Sequence, residues 1–157
     1  MRPGVRIGVD VGKVRIGISR SDFHGMLATP VETVTRGDGD VARIAAIAAE
    51  LDAVELIVGL PLALSGERTA STDDASGFAT TLARAELGSG RLPVRLVDER
   101  LSTVSAHSAM RSSGRSTRQS RSVIDQVAAV IILQHALDVE RSSDSPPGEL
   151  VNPDEGL

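Results

Sequence analysis

The chain has no cysteine, no tryptophan and no tyrosine, and only two phenylalanines and one lysine in 157 residues. Without cysteine there is no disulfide scaffold, no thiolate nucleophile and no thiolate metal site. No run approaches the roughly 20 apolar residues of a membrane span. The opening Met1-Arg2-Pro3-Gly4 leads into an alternating segment that lacks the apolar core of a signal peptide, so the expected location is the cytoplasm. Missing Trp and Tyr remove the usual stacking platform for single strands, so any nucleic-acid binding must rest on charge and shape. His24, His107 and His135 have no ligand-like spacing.

What is present is enough apolar content, 41%, for one cored domain. The net charge of −4 is unevenly spread. Residues 140–157 hold five acids against Arg141 alone, which accounts for all of it. Between Glu99 and Asp125 lie Arg100, Arg111, Arg115, Arg118 and Arg121 and no acid. A neutral body thus carries a basic stretch and an acidic tail.

Val5–Val11 alternates with period two, Gly12-Lys13 is a turn signal, and Val14–Ile18 alternates again, which predicts a β-hairpin over 5–19. A third strand within 26–35 contains Pro30 and so suits a sheet edge. Asp38 or Asp40 can cap a helix carrying Val41, Ile44, Ile47 and Leu51. The apolar run 54–59 reads as a strand covered on both faces. A polar loop over 60–71, a helix over 73–87 and a strand over 94–97 follow. Two helices, over 102–111 and 120–139, are joined by the Ser-rich link 112–116. The expected fold is α/β: a mixed five-stranded sheet, an antiparallel meander then βαβ units, with helices on both faces. Residues 1–139 form the domain, and 140–157 read as a disordered acidic tail.

Three carboxylates stand among apolar neighbours. Asp10 interrupts the first strand near its end, Glu99 follows a strand end, and Asp125 sits in the most apolar helix, Val123–Leu133. A dehydrated, unpaired carboxylate costs several kcal/mol, so each must face water, a cation or a donor. Taken singly, Asp10 reads as a turn or cap residue, and Asp125 equally as the partner of Arg118 or Arg121 and as a site residue. Strand ends and one helix flank can bring all three acids to a single rim, where they repel unless a cation lies between them. Oxygen-only ligands suit Mg²⁺ or Mn²⁺. Two such ions can activate water and stabilise the leaving oxygen in phosphodiester cleavage.

Lys13 and Arg15 can hold a phosphate near Asp10, or be solvated hairpin charges. Arg100, beside Glu99, is either a phosphate clamp or the structural partner of that carboxylate. Arg115, Arg118 and Arg121, spaced by Ser and Thr, suit an arm on a nucleic-acid backbone.

Gly8-Val9-Asp10-Val11-Gly12 with Ile16-Gly17, Val58-Gly59-Leu60-Pro61, Asp98-Glu99-Arg100-Leu101-Ser102-Thr103 and Ile124-Asp125-Gln126-Val127-Ala128-Ala129 occur in that order. Over residues 5–139 this pattern resembles the YqgF/RuvX family of Holliday-junction-resolvase-like nucleases in the RNase H superfamily, implicated in maturation of the 16S rRNA precursor. The resemblance implies an RNase H-like fold, with Asp10, Glu99 and Asp125 as metal-binding catalytic acids. It implies a metal-dependent endonuclease acting on structured nucleic acid, with the ribosome precursor or a branched DNA junction as partner. A homodimer would match the symmetry of a junction. Two other readings compete. One is a nucleic-acid-binding ribosome-assembly factor without turnover. The other is an ATPase loop, since Asp10-x-Gly12-x-x-x-x-Gly17 also resembles the first phosphate loop of actin-like ATPases, which need a second domain that 157 residues cannot supply.

Overall fold

In the computed structural model of the chain, residues 1–87, 90–100 and 118–154 are described, without the side chains of 118–122. Six strands, β1 (Arg6–Val11), β2 (Arg15–Ser21), β3 (Ala28–Thr35), β4 (Glu55–Leu60), β5 (Val94–Asp98) and β6 (Glu149–Leu150), form one sheet in the order β3-β2-β1-β4-β5-β6. The first three pair antiparallel, β4 and β5 join β1 in parallel, and β6 adds antiparallel to β5. Three helices lie among the described residues: α1 (Asp40–Glu50), α2 (Ala70–Arg84) and α3 (Arg118–Ser143). The expected meander followed by βαβ units is present. The sheet has six strands where five were expected. The helix expected over 102–111 and the link 112–116 lie outside the described residues.

Alternation along the central strands divides the core in two. Ile7 and Val9 of β1, Ile16 and Ile18 of β2, and Leu56 and Val58 of β4 face one way, onto Ile44 and Ile47 of α1 and Phe78, Ala79 and Leu82 of α2. Ile57 and Val97 face the other way, onto Ile132, Leu133, Ala136 and Leu137 of α3. On edge strand β3, Pro30 pairs with Ser19 where the register shifts, so its missing N–H falls at an irregularity. Helix α2 begins at Ala70, earlier than its apolar period shows, because Thr69 and Thr72 form a reciprocal capping box. Neither Asp38 nor Asp40 caps α1. The cap is Gly39, in left-handed conformation at φ 90°, and Asp40 is the first helical residue.

The disordered-tail reading of 140–157 needs correction over 140–154, the part that lies among the described residues. Helix α3 continues to Ser143, and Glu149–Leu150 pairs with Leu96 and Arg95 of β5. The carbonyl of Pro153 accepts from Arg84. Glu140, counted above with the acidic tail, is only 4% exposed. It accepts from the Arg2 guanidinium (Nη2 2.6 Å) and from buried Arg6 (Nη2 3.1 Å). Arg2 also binds Glu55 (2.9 Å), which is buried and bound by Arg95 as well (2.9 Å). This network ties the N-terminal segment, β1, β4, β5 and the end of α3 into one unit.

Burial alone pushes the Glu140 carboxyl up, but the hydrogen bonds and charges of Arg2 and Arg6 outweigh it and hold it below the ordinary range. A depressed folded value contributes stability that is present above the unfolded carboxylate range and lost as pH falls through the folded value. Glu140→Ala removes the carboxylate that pairs with buried Arg6 and is expected to cost about 3–5 kcal/mol in urea unfolding at neutral pH. The gap from the parent protein should narrow in acid, and a loss below 1 kcal/mol at neutral pH would contradict this account.

Candidate active site

Positions facing α3 along β1 are Arg6, Gly8 and Asp10. Along β2 they are Arg15, Gly17 and Ser19. The helix answers with Asp125, Ala129, Leu133 and Glu140, at three- and four-residue multiples along one stripe. Contact is close because the strands lack side chains at the crossing. A Cβ on Gly17 would collide with the backbone carbonyl of Asp125 and lie 3.2 Å from its Cα. One on Gly8 would meet Leu133 Cβ at 2.8 Å and the Ala129 carbonyl at 2.9 Å. The Ser19 hydroxyl donates to that same carbonyl (2.8 Å). Gly17 is the cross-strand partner of Asp10, so seating Asp125 on Gly17 sets it beside Asp10.

Burial at the strand end, with the negative charge of Asp125 added, pushes the Asp10 carboxyl up to about 7. Glu99 arrives from the next strands of the same face. Gly59 follows Val58, the β4 partner of Val9, and Glu99 folds over it, so that a Cβ on Gly59 would strike the Glu99 carboxylate and lie 2.6 Å from Ile132 Cδ1. Glu99 is 9% exposed. Helix α3 runs from this rim, where β1, β4 and β5 all end, to the opposite rim, where Glu140 meets Arg6. The hairpin turn beyond Asp10 is anchored by Arg36, which donates to Gly12 O (2.8 Å), pairs with Asp74 through two bonds (2.9 and 2.8 Å) and lies 5.0 Å over the Phe78 ring.

Asp10 and Asp125 therefore form the close pair, and Glu99 shares their face one strand away. Among the described residues, no three acidic or histidine side chains are gathered tightly enough to hold an ion. The donor chemistry nevertheless fits a hard divalent cation: carboxylate oxygens only, at a rim where burial first and the Asp125 charge second raise Asp10.

Asp125 is paired with Arg15 of β2 (Nε–Oδ2 2.8 Å), a partner that the sequence reading did not name. Arg15 is thus engaged with a carboxylate rather than standing free for phosphate. Its spacing from Gly17 was the available signal, since residues two apart on a strand face the same helix. Arg100 binds Asp98 (2.6 Å) at the end of β5. Lys13 is exposed at the hairpin tip. Arg115 lies outside the described residues, as do the side chains of Arg118 and Arg121, whose backbones belong to the first turns of α3.

The arrangement is an RNase H-like fold of the RuvC kind. Thermus thermophilus RuvC in complex with a Holliday junction substrate matches with a TM-score of 0.56, covering 92% of this chain and 99% of that chain at 18% identity. A further T. thermophilus RuvC structure matches at 0.52, covering 91% and 99% at 16% identity. Residues 4–139 match the RuvX family, described as Holliday junction resolvase, and the chain belongs to that family. Relatives named "Putative pre-16S rRNA nuclease" include one from Clavibacter michiganensis subsp. michiganensis (strain NCPPB 382). It is 66% identical over 96% of this chain and 93% of its own length. Another, from Leifsonia xyli subsp. xyli (strain CTCB07), is 64% identical over 98% and 97%.

A raised folded value means that Asp10 holds its proton more tightly in the native state than in the unfolded one. Between its ordinary value, 3.8, and about 7, the cation-free protein therefore loses stability as pH rises. Asp10→Asn in a chelator is expected to melt above the parent protein beyond pH 7, and to match it near pH 4. Equal melting temperatures at both pH values would show that Asp10 carries no such strain.

Proposed function

We propose that this chain is a nuclease that hydrolyses phosphodiester bonds in structured nucleic acid, with the precursor of 16S rRNA as its substrate. The observation that carries the reading is the seating of α3 on Gly17, which sets the Asp125 carboxylate against Asp10 on the face that also receives Glu99. Two partly buried carboxylates near enough for one to raise the other are unfavourable for folding, and such perturbed groups cluster where a cation or a developing positive charge is to be met. The names of the relatives supply the substrate class.

Asp10, Glu99 and Asp125 are the residues that would hold Mg²⁺ or Mn²⁺. A pair of such ions supplies the Lewis acidity that lowers the pKa of an attacking water and stabilises the departing oxygen. Asp10 is fixed by its strand and by the anchored hairpin turn, Asp125 by the helix contact, and Glu99 by the end of β5. The acids therefore stand on rigid elements, with a basic stretch, Arg100 to Arg121, adjoining them in the chain to take the phosphate backbone. Binding of this kind releases counterions, so affinity should fall steeply with salt. No helix among the described residues is long and apolar enough to cross a membrane. The RuvC structure solved in complex with a Holliday junction substrate supports branched DNA as a second substrate class.

Cleavage-product mapping on a precursor rRNA fragment and a four-way DNA junction, with and without Mn²⁺, tests the proposal. Cuts in the RNA fragment that require Mn²⁺ are expected. Asp10→Asn, Glu99→Gln and Asp125→Asn should each lower the rate by more than the roughly 10–100-fold typical of losing a group that only supports a ligand. Unchanged cleavage by all three variants would reject the site. Cuts confined to the junction would assign the enzyme to branched DNA.

A further inference from the structure

Arg15 places its guanidinium on an acid of the candidate site. Nε donates to Oδ2 of Asp125 at 2.8 Å, with both side chains partly shielded, 30% and 19% exposed. Its backbone is fixed by the hairpin, since Gly12 N donates to Arg15 O (2.9 Å) and Ile16 pairs with Val11. The side chain beyond has freedom that the backbone lacks. It starts beside the hairpin tip, where Lys13 and Val14 are exposed, the latter by 61%. A swing of the guanidinium toward solvent therefore asks for no backbone change.

The charge count explains why a guanidinium sits there. Asp10 and Asp125 are close enough for Asp125 to raise the Asp10 carboxyl, and Arg15 brings a positive charge onto the Asp125 member of this pair. A divalent cation drawn to the same carboxylates needs the Asp125 oxygen that Arg15 holds, and it repels the guanidinium. The two cations cannot share that oxygen without a large Coulomb cost. We propose that Arg15 is a built-in counter-ion: it neutralises Asp125 while no divalent cation is bound, yields that carboxylate when one binds, and so sets the concentration at which the site fills. This rests on the reading of Asp10, Glu99 and Asp125 as metal ligands.

A role confined to stapling the hairpin to α3 makes a different prediction, because losing a staple lowers stability and leaves cation affinity unchanged or weaker. Calorimetric titration with Mn²⁺, without nucleic acid, separates the two. Arg15→Gln is expected to bind Mn²⁺ about 3- to 10-fold more tightly than the parent protein, somewhat beyond the worth of an exposed ion pair because both groups are partly buried. Arg15→Lys, which restores the charge, should return the affinity to near the parent value. Equal or weaker binding by Arg15→Gln overturns the proposal and leaves the metal reading intact. Absence of Mn²⁺ binding by both the parent and Arg15→Gln overturns the metal reading and the proposal together.

Should Arg15→Gln fail to fold, the parent protein decides the matter. A Mg²⁺ titration followed through the Arg15 Nε–H resonance is expected to show loss of the carboxylate-bonded shift in step with binding. A resonance unmoved at saturating Mg²⁺ overturns the proposal.

Discussion

The structure depends on one contact, the lie of helix α3 along strand β1. Read from one rim to the other, β1 presents Arg6, then Gly8, then Asp10, and the helix presents Glu140, then Leu133 and Ala129, then Asp125. At the first end opposite charges meet, with buried Arg6 on buried Glu140. In the middle, a glycine lets the helix backbone approach to contact distance. At the far end like charges meet, and Asp10 is raised by burial and by Asp125. The favourable end and the packed middle hold the unfavourable end in place. Strain of this kind is sustained by structure elsewhere.

That arrangement explains the residue choices around the rim. Side chains at Gly8, Gly17 or Gly59 would lift α3 or displace Glu99, and each such shift would move a carboxylate away from its neighbours. Ser19, in the same row, offers a hydroxyl that reaches the Ala129 carbonyl instead of crowding it. Arg36 anchors the hairpin turn from the other side of the sheet through Gly12, Asp74 and the Phe78 ring. The rim is thus held on both faces. Among the described residues, Arg15 and Arg100 lie close to the acids, and both are committed to carboxylates, Asp125 and Asp98.

Much of this was legible in the sequence, because local periodicity reports local structure. The hairpin, the α1 and α2 faces and the strands after them follow from period-two and period-3.6 patterns. Asp10 and Asp125 stand out because a carboxylate inside an apolar run demands a partner. What the sequence did not disclose depends on contacts between distant segments. The tail after Ser142 has no periodicity, and it gains structure only by adding β6 to the edge of β5. Glu140 looked like part of an acidic tail, yet it continues the stripe of Leu133 and Leu137 and meets arginines from the other end of the chain. The partner of Asp125 was sought among neighbours in sequence, whereas cross-strand register delivers Arg15 from 110 residues away.

The central claim is that the α3–β1 contact builds a carboxylate rim for divalent cations. Anomalous diffraction from crystals soaked in Mn²⁺ tests it most directly. The account predicts manganese density between the Asp10 and Asp125 carboxylates, with Glu99 turned toward it and the Arg15 guanidinium withdrawn. Manganese bound only elsewhere on the protein, with Arg15 still on Asp125 at saturating concentration, would contradict it.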